Sequence, residues 1–451
     1  MKDLTQGPIH THLLRMAAPI AIGMLVQTLY YMVDLYFVAQ LGDHALAGVS
    51  AGGNVMFLIM ALTQMLSVGA VTLISHAVGR KDQADANLAF NQTLLLSVLC
   101  GLLTLFGCYG LADYYFSAVG ADAETHAAGI SYLFWFAPGL ALQFALVGMS
   151  GALRGTGIVK PTMLVQMLTV LVNIVLAPVL IAGWGTGKAL GVAGAGLASS
   201  LAVIVGVMVL AWYFLRLEHY VSIDRQLWRP DFAIWKRLLN VGLPAGGEFA
   251  CMFVFMAVIY SVISHFGAAA QAGFGVGSRV MQAIFLPAMA IAFAVAPIAG
   301  QNFGARNAAR VRETIRKALY LEAALMFALT LLCQIKPAAL VGVFSSEAAV
   351  ITVGAQFLQI ISWNFVGSGV IFACSGMFQA LGNTWPALIS MATRLLTFAL
   401  PALWLSRQPG FEIVHIWYLS VATVGLQMLT SLLLLRSELG KRLAPLDAQR
   451  A

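Results

Sequence analysis

Charge is scarce in this chain. Asp, Glu, Lys and Arg supply 10% of its 451 residues and apolar types 60%, whereas soluble domains carry about a quarter charged residues. A water-soluble fold has too little polar material to cover that much hydrocarbon, so a membrane protein is expected. Cysteine is few and odd in number. Cys100, Cys108, Cys251, Cys333 and Cys374 fall in apolar stretches without paired spacing, which excludes a disulfide framework and a cysteine metal site and leaves small packing residues. All eight histidines lie at the terminus, in loops or at the ends of apolar runs, so a catalytic base at membrane depth is missing. The period-two alternation of a membrane barrel is absent. No short apolar core followed by a small-residue cleavage site opens the chain, so no signal peptide is expected and the first span should stay in place.

What the chain does have is long apolar runs. About 20 such residues cross the hydrocarbon layer as a helix, and twelve spans are expected: roughly 13–39, 45–76, 88–112, 127–152, 162–183, 189–215, 234–264, 273–300, 314–335, 349–380, 386–406 and 413–436. Of the 25 Lys and Arg, all but Lys188, Lys336, Arg407, Arg279 and Arg394 fall at the N-terminus, in the loops after even-numbered spans, or at the C-terminus, where Arg436, Lys441, Arg442 and Arg450 stand. The positive-inside rule then places both termini in the cytoplasm. The net charge of +7 reflects this topology and contact with anionic membrane lipid, so nucleic acid is discounted as a partner.

The chain is also written twice. Pro19, Gly42, Gly48, Gly52, Gly79, Gly151, Gly157 and Pro161 recur 225 residues later as Pro244, Gly267, Gly273, Gly277, Gly304, Gly376, Gly382 and Pro386. These are backbone punctuators, so the two halves share a three-dimensional path rather than a chemistry. Each half holds six spans, an even number, so both enter from one side and a pseudo-two-fold axis along the membrane normal should relate them. The fold class expected is all-α: twelve transmembrane helices in two six-helix bundles, lobes 1–222 and 223–451, with the polar stretch from Arg216 to Arg237 as a cytoplasmic linker. Small residues such as those of Gly191–Ser199 permit close helix approach in lipid. Two similar halves usually make a transporter with its site between them.

Chemistry should sit where charge lies inside the membrane, because an ionised carboxylate at mid-depth costs about 2.5–3.5 kcal/mol on insertion scales. Asp34 in span 1 and Glu248 in span 7 qualify. Their repeat partners are Ile259 and Gly23, so neither acid belongs to the shared scaffold. Gln27, Tyr30, Tyr31 and Asp34 follow the i, i+3, i+4, i+7 spacing of one helix face, and a polar stripe there must meet protein or water. The alternative for Asp34 is an acid near a helix end that reaches interfacial water. Glu248 follows Gly242–Gly247, where Pro244 and the glycines should kink span 7 and mark a substrate site; alternatively it donates, protonated, to a carbonyl freed by that kink. Pro19 and Pro178 are further expected kinks. Asn173, a buried amide before Pro178, is equally a packing hydrogen bond or a ligand. Arg279 and Arg394 lie in spans 8 and 11, where each could pair with an acid or line a water-filled cavity. Met252 and Phe255, after Glu248, offer an adaptable apolar surface for lipophilic cations, though lobe packing accounts for them as well.

Pro19 and Pro244 opening the lobes, Asp34-Leu-Tyr-Phe-Val-Ala-Gln-Leu-Gly42 closing span 1, the Gly79 and Gly304 turns with their basic followers, Leu153-Arg-Gly-Thr-Gly157 with Pro161, and Asn173 together resemble the MATE family of multidrug and toxic-compound extrusion transporters. The DinF-like bacterial branch, with its functional aspartate in span 1, is the most similar. The resemblance implies a monomer in the bacterial inner membrane that exports organic cations or other drugs, with no cofactor, powered by a proton or sodium gradient. With Asp34 and Asn173 as the expected ion-coupling residues, the substrate pocket should hold Gln27, Tyr30, Tyr31 and Asn173 from the first lobe and Glu248, Met252 and Phe255 from the second, as these residues' own chemistry suggests. Asp34 becomes the expected proton carrier, loaded outside and discharged to the cytoplasm, with proton and cationic substrate as alternative occupants. The chain departs from the family where a second span 5 aspartate is usual, at Ala177; where the NorM-like branch carries its span 7 glutamate, at Met252; and in span 10, which lacks an acid. Two rivals remain. A lipid-linked saccharide flippase of the same superfamily would be expected to carry more cavity cations and extra helices. An intramembrane serine protease is suggested by Gly148-Met-Ser-Gly151, but it needs a histidine partner at similar depth.

Overall fold

The computed structural model describes residues 1–120 and 122–448; Arg450 and the side chain of Tyr31 lie outside the described residues. The helices are α1 (Ile9–Ala39), α2 (Asp43–Gly79), α3 (Gln83–Ala118), α4 (Ala123–Gly155), α5 (Lys160–Ala182), α6 (Val192–Arg216) and α7 (Phe232–Ile263). They continue as α8 (Ala268–Gly304), α9 (Ala308–Ile335), α10 (Pro337–Gly342), α11 (Ala348–Ile361), α12 (Asn364–Ala380), α13 (Trp385–Leu405) and α14 (Ile413–Ala448). Among the described residues eleven helices are long and apolar enough to cross a bilayer, and α11 with α12, bent by 58° at their junction, makes a twelfth span when the two arms are counted together. Most helices run several residues past the apolar runs into the polar ends, because backbone N–H and C=O groups bond each other whether lipid or water surrounds them.

The repeat is visible residue by residue. A Cβ on Gly48 would meet the backbone N of Gly129 at 2.7 Å, and one on Gly273 would meet that of Gly354 at 3.2 Å. Gly151 likewise abuts the carbonyl O of Ser67 at 3.1 Å and Gly376 that of Ala292 at 2.5 Å; in each pair the neighbours are also 225 residues apart. At the helix turns Lys81 and Arg306 adopt left-handed φ values of 60° and 57°, so the turns close on the residue two past Gly79 and Gly304. Asp82 and Asn307 then cap α3 and α9 by accepting from Asp85 N (3.0 Å) and Arg310 N (3.3 Å), each cap worth about 1 kcal/mol.

The halves part company in two places. Where α3 runs unbroken, Pro337 lacks a donor and divides its counterpart into α9 and α10. Where α4 is continuous, its counterpart breaks at Ser362 and Trp363. Side chains of α9 bond carbonyls at the break: Thr330 Oγ1 donates to Ser362 O (2.9 Å), which also accepts from Phe365 N (3.1 Å), and Gln334 Nε2 donates to Gln359 O (2.6 Å), which satisfies the break inside the bundle.

The described chain forms two compact units: unit 1 comprises residues 1–3 and 22–246, and unit 2 comprises residues 4–21 and 247–451. The two crossover points, Ala21/Ile22 and Gly246/Gly247, are repeat-related, and each follows its proline, Pro19 or Pro244, by two residues. Both prolines and Pro178 sit within continuous α-helix. In unit 1 the core includes Phe90 stacked on Phe214 at 4.5 Å; in unit 2 Trp417 is wedged between Phe274 (5.6 Å) and Phe357 (4.8 Å).

The stretch expected to be a linker is instead a docked part of unit 1. Asn91 Nδ2 donates to Ser222 O (2.9 Å), and its Oδ1 accepts from Asp224 N (2.9 Å) and Trp228 Nε1 (3.1 Å). Gln92, fully buried, donates to the carbonyls of Leu227 and Arg229 (both 2.7 Å) and accepts from Asp231 N (3.0 Å) and Trp235 Nε1 (2.7 Å). Polarity identified a loop outside the membrane but could not show that two amides of α3 tie it down.

Candidate functional site

In unit 1 the C-terminal half of α1 lies along the seam of α5 and α6. Gln27 Oε1 accepts from Gln166 Nε2 of α5 (2.5 Å), and Tyr30 Oη is 2.7 Å from Ser199 Oγ of α6. Further on, the Phe37 ring meets Trp184 edge-on at 6.1 Å, and a Cβ on Gly191 would meet Leu41 at 4.0 Å. Asp34 stands on this face one turn past Tyr30 and one turn before Phe37, since residues three and four apart share a helix side. It is 7% exposed, and its Oδ1 is sealed from solvent with no hydrogen-bond partner among the described residues. The expected alternative, a side chain reaching interfacial water, does not fit that burial.

Asn173 is fully buried and donates from Nδ2 to Ser199 Oγ (3.3 Å), while its Oδ1 lacks a partner among the described residues. Tyr30, Ser199 and Asn173 thus form one chain of hydrogen bonds on the face that carries Asp34. Both readings of Asn173 survive in part: the amide packs through its donor and leaves an acceptor unused. Ala177, one turn on, is fully buried, so the usual second carboxylate has no substitute there. No group of three or more His, Cys, Asp or Glu that could hold a metal ion occurs among the described residues.

Unit 2 holds a separate polar group. Ser375 Oγ of α12 donates to Glu248 of α7, at 3.3 Å to Oε1 and 3.1 Å to Oε2; a hydroxyl, not a freed carbonyl, is its partner. Arg394 does not pair with an acid among the described residues: its guanidinium lies 4.3 Å over the Phe255 ring, which also packs on Phe398 at 4.7 Å. Phe255 is therefore core, 4% exposed, whereas Met252 is 42% exposed. Arg279 is exposed on α8 with no ion pair among the described residues, so it neither joins an acid nor lies buried. Ser150 Oγ donates to Leu146 O of its own helix at 2.8 Å, and no histidine is among its partners, an arrangement unlike an activated nucleophile.

One acid was overlooked in the sequence. Glu322 of α9 lies inside the expected span 314–335, and the rule that selected Asp34 and Glu248 would have selected it. It is fully buried, both carboxyl oxygens lack partners among the described residues, and Oε2 lies 3.2 Å from where a Cβ on Gly369 would stand. The partners Gln166, Ser199 and Ser375 carried no signal of their own, since uncharged polar residues are common in helices that pack in membranes.

The MatE family profile matches residues 19–179 and again 244–405, two blocks that open on the repeat-related prolines. This chain belongs to the MatE family. It is similar to the multidrug export protein MepA of Staphylococcus aureus strain N315, 26% identical over 383 residues that cover 84% of this chain and 83% of the relative. The probable multidrug resistance protein YoeA of Bacillus subtilis strain 168 is also 26% identical, over 408 residues covering 88% and 87%. Among solved structures, a MOP-superfamily transporter from Pyrococcus furiosus is 26% identical with a TM-score of 0.90, covering 97% of this chain and 98% of that one. A MATE structure in a bent conformation is 25% identical with a TM-score of 0.92 and covers 98% of each chain. The MATE resemblance and the all-α, multi-pass membrane fold are thereby borne out.

Proposed function

We propose that this MatE chain is a secondary multidrug efflux transporter that exports lipophilic or cationic compounds in exchange for protons carried by Asp34. The observation that carries this reading is the burial of Asp34, on the side of α1 whose Gln27 and Tyr30 bond α5 and α6, with one carboxyl oxygen unpartnered among the described residues. A buried carboxyl lacking a cation or donor is held at low cost only when protonated, and proton loss in that setting favours rearrangement or occupation by a positive charge. Proton and cationic drug are then alternative occupants, and their competition couples the two flows through two states of the same protein. The names of MepA and YoeA support drugs as the substrate class, and the distribution of Lys and Arg supports cytoplasmic termini. Glu248 with Ser375 offers a second acid for a cationic substrate in unit 2.

Sodium is the second reading, favoured by Asn173 Oδ1, which has no partner among the described residues: a sodium ion takes oxygen ligands, and the side chains of Asp34, Asn173, Ser199 and Tyr30 carry five oxygens between them. The test is efflux of a cationic dye from proteoliposomes under a proton gradient or a sodium gradient, imposed separately, for wild type and Asp34→Asn. Proton-driven efflux should vanish in Asp34→Asn while the folded protein still elutes as wild type. Undiminished proton-driven efflux in that variant would overturn the role of Asp34, and efflux driven by sodium alone at fixed pH would replace the proton by the metal ion.

A further inference from the structure

Away from the candidate site, the basic ends of α9 and α14 enclose a recess of about 610 Å³. Its wall carries Arg312 and Arg316, one turn apart on α9, and Arg436 on α14, with Tyr320 and leucines of α14 beside them. Arg312 is already neutralised, since its guanidinium forks onto Asp447 at 3.2 and 2.5 Å. Arg316 and Arg436 are exposed, and neither forms an ion pair within 4.0 Å among the described residues; Glu313, close enough to feel the charge of Arg316, is paired with Lys317. Two like charges on different helices that line one recess call for an anion between them.

The recess also lies where apolar outer surface gives way to charge. On α14 the exposed Leu429 and Leu433 lead up to Arg436; on α9 the exposed Phe327 and Tyr320 lead to Arg316 one turn further on. An aromatic ring followed by basic groups is the pattern of a helix passing from hydrocarbon into headgroups. Leu432 and Leu435 line the recess itself, and Gly440 leaves its mouth open, with no atom within 4 Å of where a Cβ would stand.

We infer that this recess binds an anionic phospholipid of the cytoplasmic leaflet, its phosphate held between Arg316 and Arg436 and an acyl chain laid along Leu432 and Leu435. Guanidinium groups suit a phosphate because they offer several donors in one plane, and basic recesses between helices on this side of a membrane recognise anionic headgroups. The site is independent of the transport chemistry proposed for Asp34.

The experiment is native mass spectrometry of the full chain in detergent, titrated with phosphatidylglycerol or phosphatidylcholine. Wild type should retain phosphatidylglycerol in preference to phosphatidylcholine. Arg316→Gln and Arg436→Gln should each weaken that binding about fivefold and the double variant about thirtyfold, given the usual worth of one basic group at an anionic surface. Gly440→Leu, which narrows the mouth of the recess and leaves every charge in place, should also weaken the binding, whereas Arg316→Lys with Arg436→Lys should keep the preference. Equal retention of the two lipids, or undiminished phosphatidylglycerol binding in the double glutamine variant, would overturn the site. Complete displacement of the lipid by inorganic phosphate would overturn the acyl-chain half of the assignment.

Discussion

Gln92→Leu should release the segment that joins α6 to α7. Leucine has nearly the same size and fits a buried position, so the change isolates the polar function of the amide. Four hydrogen bonds go: two donated to Leu227 O and Arg229 O, and two accepted from Asp231 N and Trp235 Nε1. Each is worth about 1 kcal/mol net when water can replace it and up to about 3 kcal/mol when it cannot. The segment can lift away and rehydrate, so the lower figure applies and the sum is about 4 kcal/mol. Asn91 still holds Ser222, Asp224 and Trp228, which makes the loss local rather than global. At about 1.4 kcal/mol per decade, the opened segment becomes roughly a thousandfold more populated. Limited trypsinolysis of detergent-purified protein reads this directly, because cleavage after Arg225 follows the open population when reclosing is fast. Gln92→Glu, which keeps an oxygen for both accepted bonds but sets a carboxylate against the carbonyls of Leu227 and Arg229, should open the segment at least as far. Cleavage after Arg225 that is no faster than in wild type would refute the reasoning.

Two further outcomes follow from particular groups. Glu322→Met removes a buried carboxyl that has no partner among the described residues and keeps its volume, so it should stabilise the fold by about 1–3 kcal/mol; a lower melting midpoint in detergent would mean that the carboxyl is held after all. Asp122 caps α4 by accepting from Thr125 N at 2.8 Å, and that backbone hydrogen bond holds its carboxyl below the ordinary value of 3.8. Because the folded value is the lower one, the stabilisation is present above the ordinary value and is lost as pH falls through the folded one. Hydrogen exchange at the start of α4 should therefore quicken only at strongly acid pH, and Asp122→Asn, itself a good cap, should flatten that dependence; an unchanged profile in the variant would exclude Asp122 as its source.

Much of the fold was legible because membrane spans and tight helix contacts are local demands. A run of apolar residues must become helix in lipid, and a glycine kept at a fixed spacing marks a crossing that a side chain would block, as Gly151 and Gly376 do. The single long span expected over 349–380 hid a break at Ser362, since its cause lies in another helix, in Thr330 and Gln334, which bond carbonyls there. The site was half legible. Asp34 stood out by its charge, and the face it shares with Gln27 and Tyr30 by spacing. Arg394, readable as an acid's partner or a cavity-lining cation, lies over the ring of Phe255, whose burial fits the packing alternative for that residue.

By itself the sequence determined that this is a two-lobed helical membrane protein with acids inside its spans, because hydrophobicity, periodicity and charge cost are properties of a residue and its near neighbours. Only the tertiary structure decided that Asp34 is buried, that Glu322 is sealed without a partner among the described residues, that Gln92 ties down the joining segment, and that each lobe's first helix divides between two compact units. Those outcomes depend on which distant side chain arrives opposite, and hydrogen-bond partners are chosen by packing across the bundle rather than by position along the chain.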